Sequence, residues 1–362
     1  MKRGIGGGGS RRRGGFTLVE LLVATVVLLL IMAILLTVTT QAGNLWRTTT
    51  AKMEQFRGAR DAFESMTRRL SQATLNTYWD YDNATTPTRY VRQSELRFIS
   101  GNTVALAGTP AAGRQWPTQS VFFQAPLGFS QDTATTGLEN LLNTWGYFIE
   151  FGTDAAQRPG IVTQAISPLR YRYRLCELMQ PTNALSIYSF TSGLSGGVPK
   201  NLSYTGRDWF TVPLNITDAS TNPVRPVHVL AENIIALVIL PKLSLAEDST
   251  GTALAPLYTY DSTSTNATAA LNPKNQLPPL VEVTMVAIGE SAAIRLAKEQ
   301  GTTMPTFGMA TAAYNALFTD ATQMATDLGK LQTALNSQHI AFRVFSTNVA
   351  IKGAKWSREE AN

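Results

Sequence analysis

A single carboxylate, Glu20, stands at the start of an apolar stretch, and its position demands a chemical explanation. It lies five positions past the Gly15–Phe16 junction, and no further charge occurs between Leu21 and Val38. An unpaired central carboxylate costs roughly 2.5–3.5 kcal/mol or more in bilayer hydrocarbon. We therefore expect Glu20 to have a partner that neutralises it.

Other side chains that could do chemistry are scarce. Cys176 is the only cysteine, which excludes an intramolecular disulfide and a cysteine metal cluster. It falls in the alternating stretch Leu169–Met179, which favours a packed thiol over a reactive one. His228 and His339 are the only histidines, so a His-rich metal site is excluded. Each has Val, Leu, Ile or Phe residues nearby in the sequence and is interpreted as a strand histidine. We predict no catalytic residue, no metal and no cofactor.

Three motifs resemble functional sites but lack the required context. Gly193–Gly197 satisfies G-x-S-x-G, yet Val198-Pro199 cannot start the helix that a nucleophile elbow needs, so a glycine turn is favoured. Gly4–Gly9 satisfies G-x-G-x-x-G but follows no strand, which favours a flexible tether. The loop at 248–276 offers Asp248 and Asp261 as calcium ligands without a spaced carboxylate series to support them.

The apolar stretch is long enough to cross a membrane. Leu21–Val38 contains 18 residues, or about 27 Å of helix, and counting from Phe16 gives 23 residues. Basic residues on its amino-terminal side place that end in the cytoplasm by the positive-inside rule. The chain after about Gln41 is then exported.

The basic charge of the chain belongs to its first 15 residues. These contain five basic residues and no acid: Lys2, Arg3, Arg11, Arg12 and Arg13. Removing five from the 31 basic residues leaves 26 against 25 acidic residues. The remainder has no footprint for a polyanion, so we predict no nucleic-acid partner.

Three interpretations of the amino-terminal segment compete. A twin-arginine signal is compatible with Ser10–Arg13, but signal h-regions are usually about 7–15 residues long and this run is longer and carries an acid. Thr40-Gln41-Ala42 is also a poor cleavage site for a signal peptidase. A plain signal anchor explains length and orientation but leaves Glu20 and the double glycine unexplained. The third interpretation explains every part.

The stretch Gly14-Gly15-Phe16-Thr17-Leu18-Val19-Glu20-Leu21-Leu22 resembles the processing and methylation motif of type IV pilins and type II secretion pseudopilins. The resemblance implies cleavage after Gly15 by a membrane prepilin peptidase, which also methylates the new terminus at Phe16. Arg11, Arg12 and Arg13 would be the basic end of the leader. Glu20 would become the fifth mature residue and pair with the terminal amine of a neighbouring subunit during assembly.

These assignments are chemically reasonable. Glycine presents a narrow backbone to a protease site where a β-carbon would clash. A carboxylate and an ammonium group within a few ångströms neutralise each other in low dielectric, where either alone is costly. Such a pair can set the axial register between subunits.

The predicted fold class is α+β and pilin-like: a long amino-terminal transmembrane and amphipathic helix packed on an antiparallel β-sheet domain with extra C-terminal helices. One helix is expected from about Phe16 to Leu75, with Gly43-Asn44 and nearby threonines loosening it between its halves. The predicted boundaries are a cleaved leader at 1–15, a transmembrane half-helix at 16–41, an amphipathic half-helix at 42–76 and an exported domain at 77–362. Apolar residues at helical spacing in the second half predict a core face: Met53, Phe56, Phe63, Met66 and Leu70.

The exported part reads as short strands and, near its end, helices. In Leu169–Met179, Arg170, Arg172 and Arg174 alternate with apolar residues, which predicts one buried and one solvated face. The other predicted strands are Arg89–Ser100, Ser120–Gln124, Trp145–Phe151, Val227–Leu240, Pro279–Ile288 and Ile340–Ile351. The predicted C-terminal helices are Glu290–Gln300 and about Thr311–Asn336.

Two of these strands resemble those of J-type minor pseudopilins and W-type pilins. Glu232–Leu237 is similar to that group's "ENV-x-x-L" strand, and Leu277–Thr284 to its "LP-x-x-V-x-V-T" strand. Residues 290–339 are additional to that pattern. Together with Phe345–Val349 and Ala354–Ser357, they resemble the C member of a prepilin-type cassette described in Verrucomicrobia.

The resemblance implies a structural subunit of a type IV pilus-like or type II secretion pseudopilus filament, in its body or at its tip, and not an enzyme. Expected partners are the prepilin peptidase and methylase, other pilins or pseudopilins, an inner-membrane assembly platform and the lipid bilayer. The expected location is the bacterial inner membrane, single-pass, with a cytoplasmic N-terminus and a periplasmic domain. The alternative is an exported enzyme or binding protein that uses the N-terminal segment only as a signal or anchor.

Overall fold

The computed structural model describes residues 17–83, 85–135, 137–138, 140–159, 161, 166–187, 194–195, 198–199, 206–217, 224–264 and 271–357. The side chains of 42–55, 194–195 and 198–199 lie outside this description. The chain divides into two compact units, Met1–Glu54 and Gln55–Asn362. The predicted α+β class is confirmed, because helices flank antiparallel sheets.

The helices and strands follow one another along the chain. The helices are α1 (Leu18–Gln55), α2 (Arg57–Leu70), α3 (Thr103–Ala107), α4 (Asp208–Asn215), α5 (Glu290–Gln300), α6 (Thr311–Asn315) and α7 (Met324–Ser337). The strands are β1 (Tyr78–Tyr81), β2 (Tyr90–Gln93), β3 (Phe98–Asn102), β4 (Arg114–Gln115), β5 (Gln119–Pro126), β6 (Leu142–Thr153), β7 (Tyr171–Gln180), β8 (Leu194–Ser195), β9 (Val198–Pro199), β10 (Val227–Glu232), β11 (Ile234–Lys242), β12 (Tyr260–Asp261), β13 (Leu280–Ile288) and β14 (Phe342–Ala350).

The expected single amino-terminal helix is interrupted once. The helical backbone of α1 continues through Gly43-Asn44, where we expected loosening, and ends at Gln55. The break lies at Phe56, whose φ of −109° and ψ of 6° leave the helical region, and α2 starts one residue later. The second helix ends at Leu70, five residues before the predicted end.

The apolar stripe predicted for the second half of this segment forms a core face of α2. Phe63, Met66 and Leu70 are buried in the main hydrophobic core, and Phe56 packs against it half-buried. The side chain of Met53 is outside the described part. At the far end of the stripe, Arg69 binds Glu177 of β7 at 2.5 Å and lies over the ring of Trp145 of β6.

Two sheets enclose that core. The larger sheet has the order β10-β7-β6-β5-β3-β12, with β4 paired to β6, and the smaller has the order β11-β13-β14. Predicted strand Val227–Leu240 is two strands, because Asn233 between β10 and β11 has a φ of 65°. This left-handed residue, which asparagine tolerates better than most, turns the chain from one sheet into the other.

Strand β7 corrects the prediction of one solvated face. Arg172 and Arg174 are 3% and 2% exposed, and only Arg170, just before the strand, is solvated. Arg172 donates to Glu290 of α5 at 2.9 Å, and Arg174 donates to the carbonyl oxygen of Thr153 at 2.8 Å. The alternation was correct, but elements distant in sequence cover the second face.

Paired charges also hold the ends of β6 and β7. Burial alone would raise the pKa of Asp154, but hydrogen bonds from Arg158 and Arg170 outweigh it and lower the pKa to about 2. Glu150 on β6 binds Arg225 through two hydrogen bonds of 3.2 and 2.6 Å, and both side chains are buried. We interpret these pairs as structural, because each charge is satisfied inside the domain.

The C-terminal region contains three helices where we expected two. Glu290–Gln300 is confirmed as α5, whereas Thr311–Asn336 is divided into α6, a short 3-10 turn at Ala321–Gln323 and α7. Asp327 of α7 accepts a hydrogen bond from the backbone nitrogen of Phe318 at 2.9 Å, which ties the intervening loop to the helix.

Substituting alanine for Gly146 is expected to destabilise the domain by about 1–3 kcal/mol. A β-carbon there would lie 2.2 Å from Phe122 Cδ1 across β5 and β6, and the Phe122 ring is held in place by stacking on Phe210 with centroids 4.2 Å apart. Gly329 of α7 is the matched control, since it has open space around it. There alanine should stabilise by about 0.5–1 kcal/mol.

Denaturant unfolding of the full chain in detergent measures both changes. An unchanged or raised midpoint for Gly146→Ala would show that the Phe122 ring can move aside and that the sheet is less tightly packed than described.

Candidate functional site

Glu20 and Thr17 form a reciprocal pair at the amino end of α1. The Thr17 backbone nitrogen and its Oγ1 both donate to Glu20 Oε2 at 3.0 Å, and the Glu20 backbone nitrogen donates to Thr17 Oγ1 at 3.3 Å. The Leu21 backbone nitrogen donates to the Thr17 carbonyl oxygen at 3.2 Å. This is a capping box, with Thr17 as the N-cap and Glu20 three residues later.

The capping box gives Glu20 a local role that we missed in the sequence. The signature was readable, because T-x-x-E directly before an apolar run is a helix start signal. A carboxylate in the first turn also interacts favourably with the helix dipole. Glu20 is therefore held at the helix end by Thr17, with its carboxylate exposed.

The helix that begins at this box is apolar on all sides. Leu18–Gln41 has a mean hydropathy of 3.1 and is the one helix in the described part that is long and apolar enough to cross a membrane. Every residue from Thr17 to Gln41 is exposed within its unit. A buried core helix would be covered by its own chain, so exposure all round is typical of a helix that contacts lipid.

Threonine hydroxyls along α1 are satisfied within the helix. Thr25 Oγ1 donates to the carbonyl oxygen of Leu22, and Thr37 Oγ1 to that of Ala33, both at 2.8 Å. Thr39 and Thr40 bond back to the preceding turn in the same way. These hydroxyls can enter hydrocarbon at little cost, since each already has a hydrogen-bond acceptor.

Of the predicted site residues, only Glu20 lies in the described part. Gly15, Phe16, Arg11, Arg12 and Arg13 are outside it, so their assigned roles stay predictions. The G-x-G-x-x-G and G-x-S-x-G look-alikes also fall outside it, apart from the backbone of Leu194-Ser195.

The cysteine and the two histidines lie in the unit that starts at Gln55. Cys176 is buried, as predicted for a packed thiol. His228 lies on β10, whereas His339 is not in a strand but in the turn after α7, with a φ of 53°. Among the described residues, no group of three or more His, Cys, Asp or Glu side chains is placed to hold a metal ion.

The two aspartates considered for calcium cap local turns instead. Asp248 accepts hydrogen bonds from the backbone nitrogens of Thr250 and Ala253 at 3.0 and 2.8 Å. Asp261 accepts from the Thr263 backbone nitrogen at 2.9 Å and from its hydroxyl at 2.7 Å. Their lone pairs are directed at the chain itself, which does not favour a calcium site.

Comparison with known proteins places one family match on this segment. Residues 10–36 match the family model of the prokaryotic N-terminal methylation motif. No curated protein and no solved structure matches the chain significantly. The matched motif and the apolar helix together fit a type IV pilin-like protein or pseudopilin, processed by a prepilin peptidase and anchored in a membrane.

Proposed function

We propose that the chain is a minor pilin or pseudopilin, a structural subunit of a filament rather than an enzyme. The observation that carries the proposal is the methylation motif at 10–36, which continues into an exposed apolar helix of spanning length. The prepilin peptidase would cut after Gly15 and methylate Phe16. Glu20 would then lie in the first turn of α1, close to the new terminal amine of a neighbouring subunit.

The topology in this proposal is a single pass through the bacterial inner membrane. Arg11, Arg12 and Arg13 would keep the leader in the cytoplasm by the positive-inside rule. The unit that starts at Gln55 would be periplasmic, and the nearly balanced charge of the chain after the leader gives it no preference for polyanions. Lipid, an assembly platform and other pilin subunits would be its partners.

The narrower assignment is a J-type or W-type tip subunit that resembles the C member of the Verrucomicrobia cassette. Two segments support it. Glu232–Leu237 runs from the end of β10 in the larger sheet into β11 of the smaller sheet, and Leu277–Thr284 leads into β13 at the centre of the smaller sheet. Residues 290–339 are additional to the J-type and W-type pattern and support the cassette C member instead; they pack on the core as α5, α6 and α7. Tip placement is further supported by size, because major pilins are usually smaller.

A cavity is the observation that favours the alternative, an exported enzyme or binding protein. It measures about 490 Å³ and is lined by Trp116, Ile235, Tyr314 and Phe318 among others. Ligand sites of this volume are common, but they usually add a few convergent polar groups. Arg114, the charged residue of its lining, donates to the Ile216 carbonyl oxygen. If α1 is removed and the remaining soluble domain binds a small molecule, that result would favour this alternative.

Intact-mass measurement of the chain purified from membranes tests the processing step. We expect a mature chain that starts at Phe16 and carries one added methyl group. A chain that still starts at Met1, or one that starts near Gly43, would overturn the assignment. The former would indicate a plain anchor and the latter a secretory signal.

A further inference from the structure

The smaller sheet has one protected and one unprotected edge. At the β11 edge, the Leu237 backbone nitrogen donates to Thr118 Oγ1 at 3.2 Å and the Ile239 backbone nitrogen to Gln119 Oε1 at 2.6 Å. The chain therefore satisfies these two outward N–H groups of β11 itself. The other edge is β14, which among the described strands pairs only with β13.

The register shows which backbone groups of β14 face outward. The Ile288 backbone nitrogen donates to the Asn233 carbonyl oxygen, so even-numbered residues of β13 point to β11 and odd-numbered ones point to β14. Because Met285 of β13 pairs with Phe345 of β14, the backbone N–H and C=O groups of the odd-numbered β14 residues point toward β13. The outward residues are Phe342, Val344, Ser346, Asn348 and Ala350. No residue in the described part of the chain forms a backbone hydrogen bond with them.

This edge carries none of the usual devices against pairing. Its nine residues pair with β13 without a bulge, contain no proline and include one charge, Arg343. Natural proteins protect exposed edges with proline, bulges, lysine or very short strands, because open edges recruit other strands. Ser346, Thr347 and Asn348 are exposed, so the centre of the strand is accessible.

We propose that the β14 edge binds an extended strand of another subunit of the same assembly. The proposal rests on the proposed function for the identity of that partner. A row of unpaired amide and carbonyl groups is complementary to a polypeptide strand, which supplies the same row in return. The bound strand would become the fourth strand of the β11-β13-β14 sheet.

The two faces of β14 specify the side chains of the bound strand. On one face, Phe345 lies 5.8 Å from Phe63 of α2 between ring centroids, so apolar residues of the partner would extend that cluster. On the other face, Ser346 shares a 2.8 Å hydrogen bond with Thr284, and Asn348 is exposed, so polar residues fit beside these two positions. Phe342 and Val344 of the same face pack against the core. The partner strand therefore alternates opposite the centre of β14, with an acidic residue favoured opposite Arg343.

A second copy of this chain is a poor occupant. Strand β14 contains Arg343 and no acidic residue, so two β14 strands paired together would place no carboxylate opposite Arg343. A different subunit can supply an acidic residue at that position.

Photocrosslinking in native membranes tests the proposal with the full chain. A photoreactive phenylalanine at Thr347 should crosslink to another chain that carries a prepilin motif, through a segment of alternating apolar and polar residues. The same probe at Ile294 of α5, 49% exposed, is the control and should not capture that chain. Capture of only a second copy, or of nothing, would overturn the proposal.

Two substitutions at Asn348 test whether backbone hydrogen bonds to the partner strand produce the Thr347 crosslink. Asn348→Pro removes an outward N–H and no internal sheet bond, whereas Asn348→Ala keeps that N–H. The crosslink yield from Thr347 should fall at least about tenfold with proline and stay unchanged with alanine. Equal yields would overturn strand pairing. Unfolding midpoints of the two purified variants should agree within a few degrees, which excludes misfolding as the cause.

The mass of the same chain separates this proposal from the proposed function. A chain that starts at methylated Phe16 and copurifies with pilin-type subunits, but gives no Thr347 crosslink, contradicts the strand pairing alone. An unprocessed chain contradicts the proposed function and, with it, the identity of the partner.

Discussion

Replacing Gly15 with leucine is expected to leave the chain at full length, with its leader attached and its terminus unmethylated. The peptidase must bind the backbone on the amino side of the Gly15–Phe16 bond in a narrow site, and a branched side chain there would clash. Processing should slow by at least about tenfold, which corresponds to about 1.4 kcal/mol in the activation barrier. The measurement is the ratio of full-length to mature chain by intact mass.

Gly7→Leu provides the matched control, since it adds the same side chain to a glycine in the leader away from the junction. It should be processed at the native rate. If Gly15→Leu is cut as fast as Gly7→Leu, the scissile bond is not at Gly15. If both variants are slow, the peptidase reads the flexibility of the whole leader rather than one residue.

The spacing of apolar residues predicted helices and strands well where the residues that determine the element are adjacent in the sequence. The apolar run predicted α1, and period-two alternation predicted β7 within two residues at its start. Glu290–Gln300 was predicted at its observed bounds. In each case, the signal lies in residues adjacent in sequence, so side-chain spacing is sufficient.

Predictions failed where a residue's surroundings come from distant parts of the chain. Arg172 looked solvent-exposed because its partner Glu290 lies 118 residues away. Val227–Leu240 looked like one strand because nothing in its apolar pattern marks a change of sheet. The signal that was available is Asn233, a residue type that tolerates the left-handed backbone found there.

From the sequence, the key residue of the amino-terminal site was identified, but not all of that residue's interactions. Glu20 was identified as the residue that needs a partner, but its partner within the chain, Thr17, was overlooked. Both roles can hold in turn: the capping box orients the carboxylate at the helix end, and a subunit's terminal amine could then approach it. The two roles depend on different properties of the Glu20 side chain. Pairing needs its negative charge, whereas capping needs an oxygen that accepts a hydrogen bond. Substitutions can therefore show which role matters for assembly.

Glu20→Leu is expected to leave processing intact and to reduce assembly strongly. Loss of one partner of a desolvated charge pair costs about 2–5 kcal/mol. Incorporation into filaments should therefore fall by about thirtyfold or more, since each 1.4 kcal/mol is a factor of about ten. The measurement is the fraction of mature chain that copurifies with partner subunits, normalised to the amount in the membrane.

Two further substitutions separate charge pairing from helix capping. Glu20→Gln removes the charge but keeps the capping box, because glutamine also serves at this position of the box. Thr17→Ala removes the capping oxygen, at a cost of about 1 kcal/mol to the helix start, but keeps the charge. If Glu20 pairs with a terminal amine, Glu20→Gln should fail to assemble as Glu20→Leu does, and Thr17→Ala should assemble. The reverse pattern would make Glu20 a capping residue and remove the ion pair from the assembly mechanism.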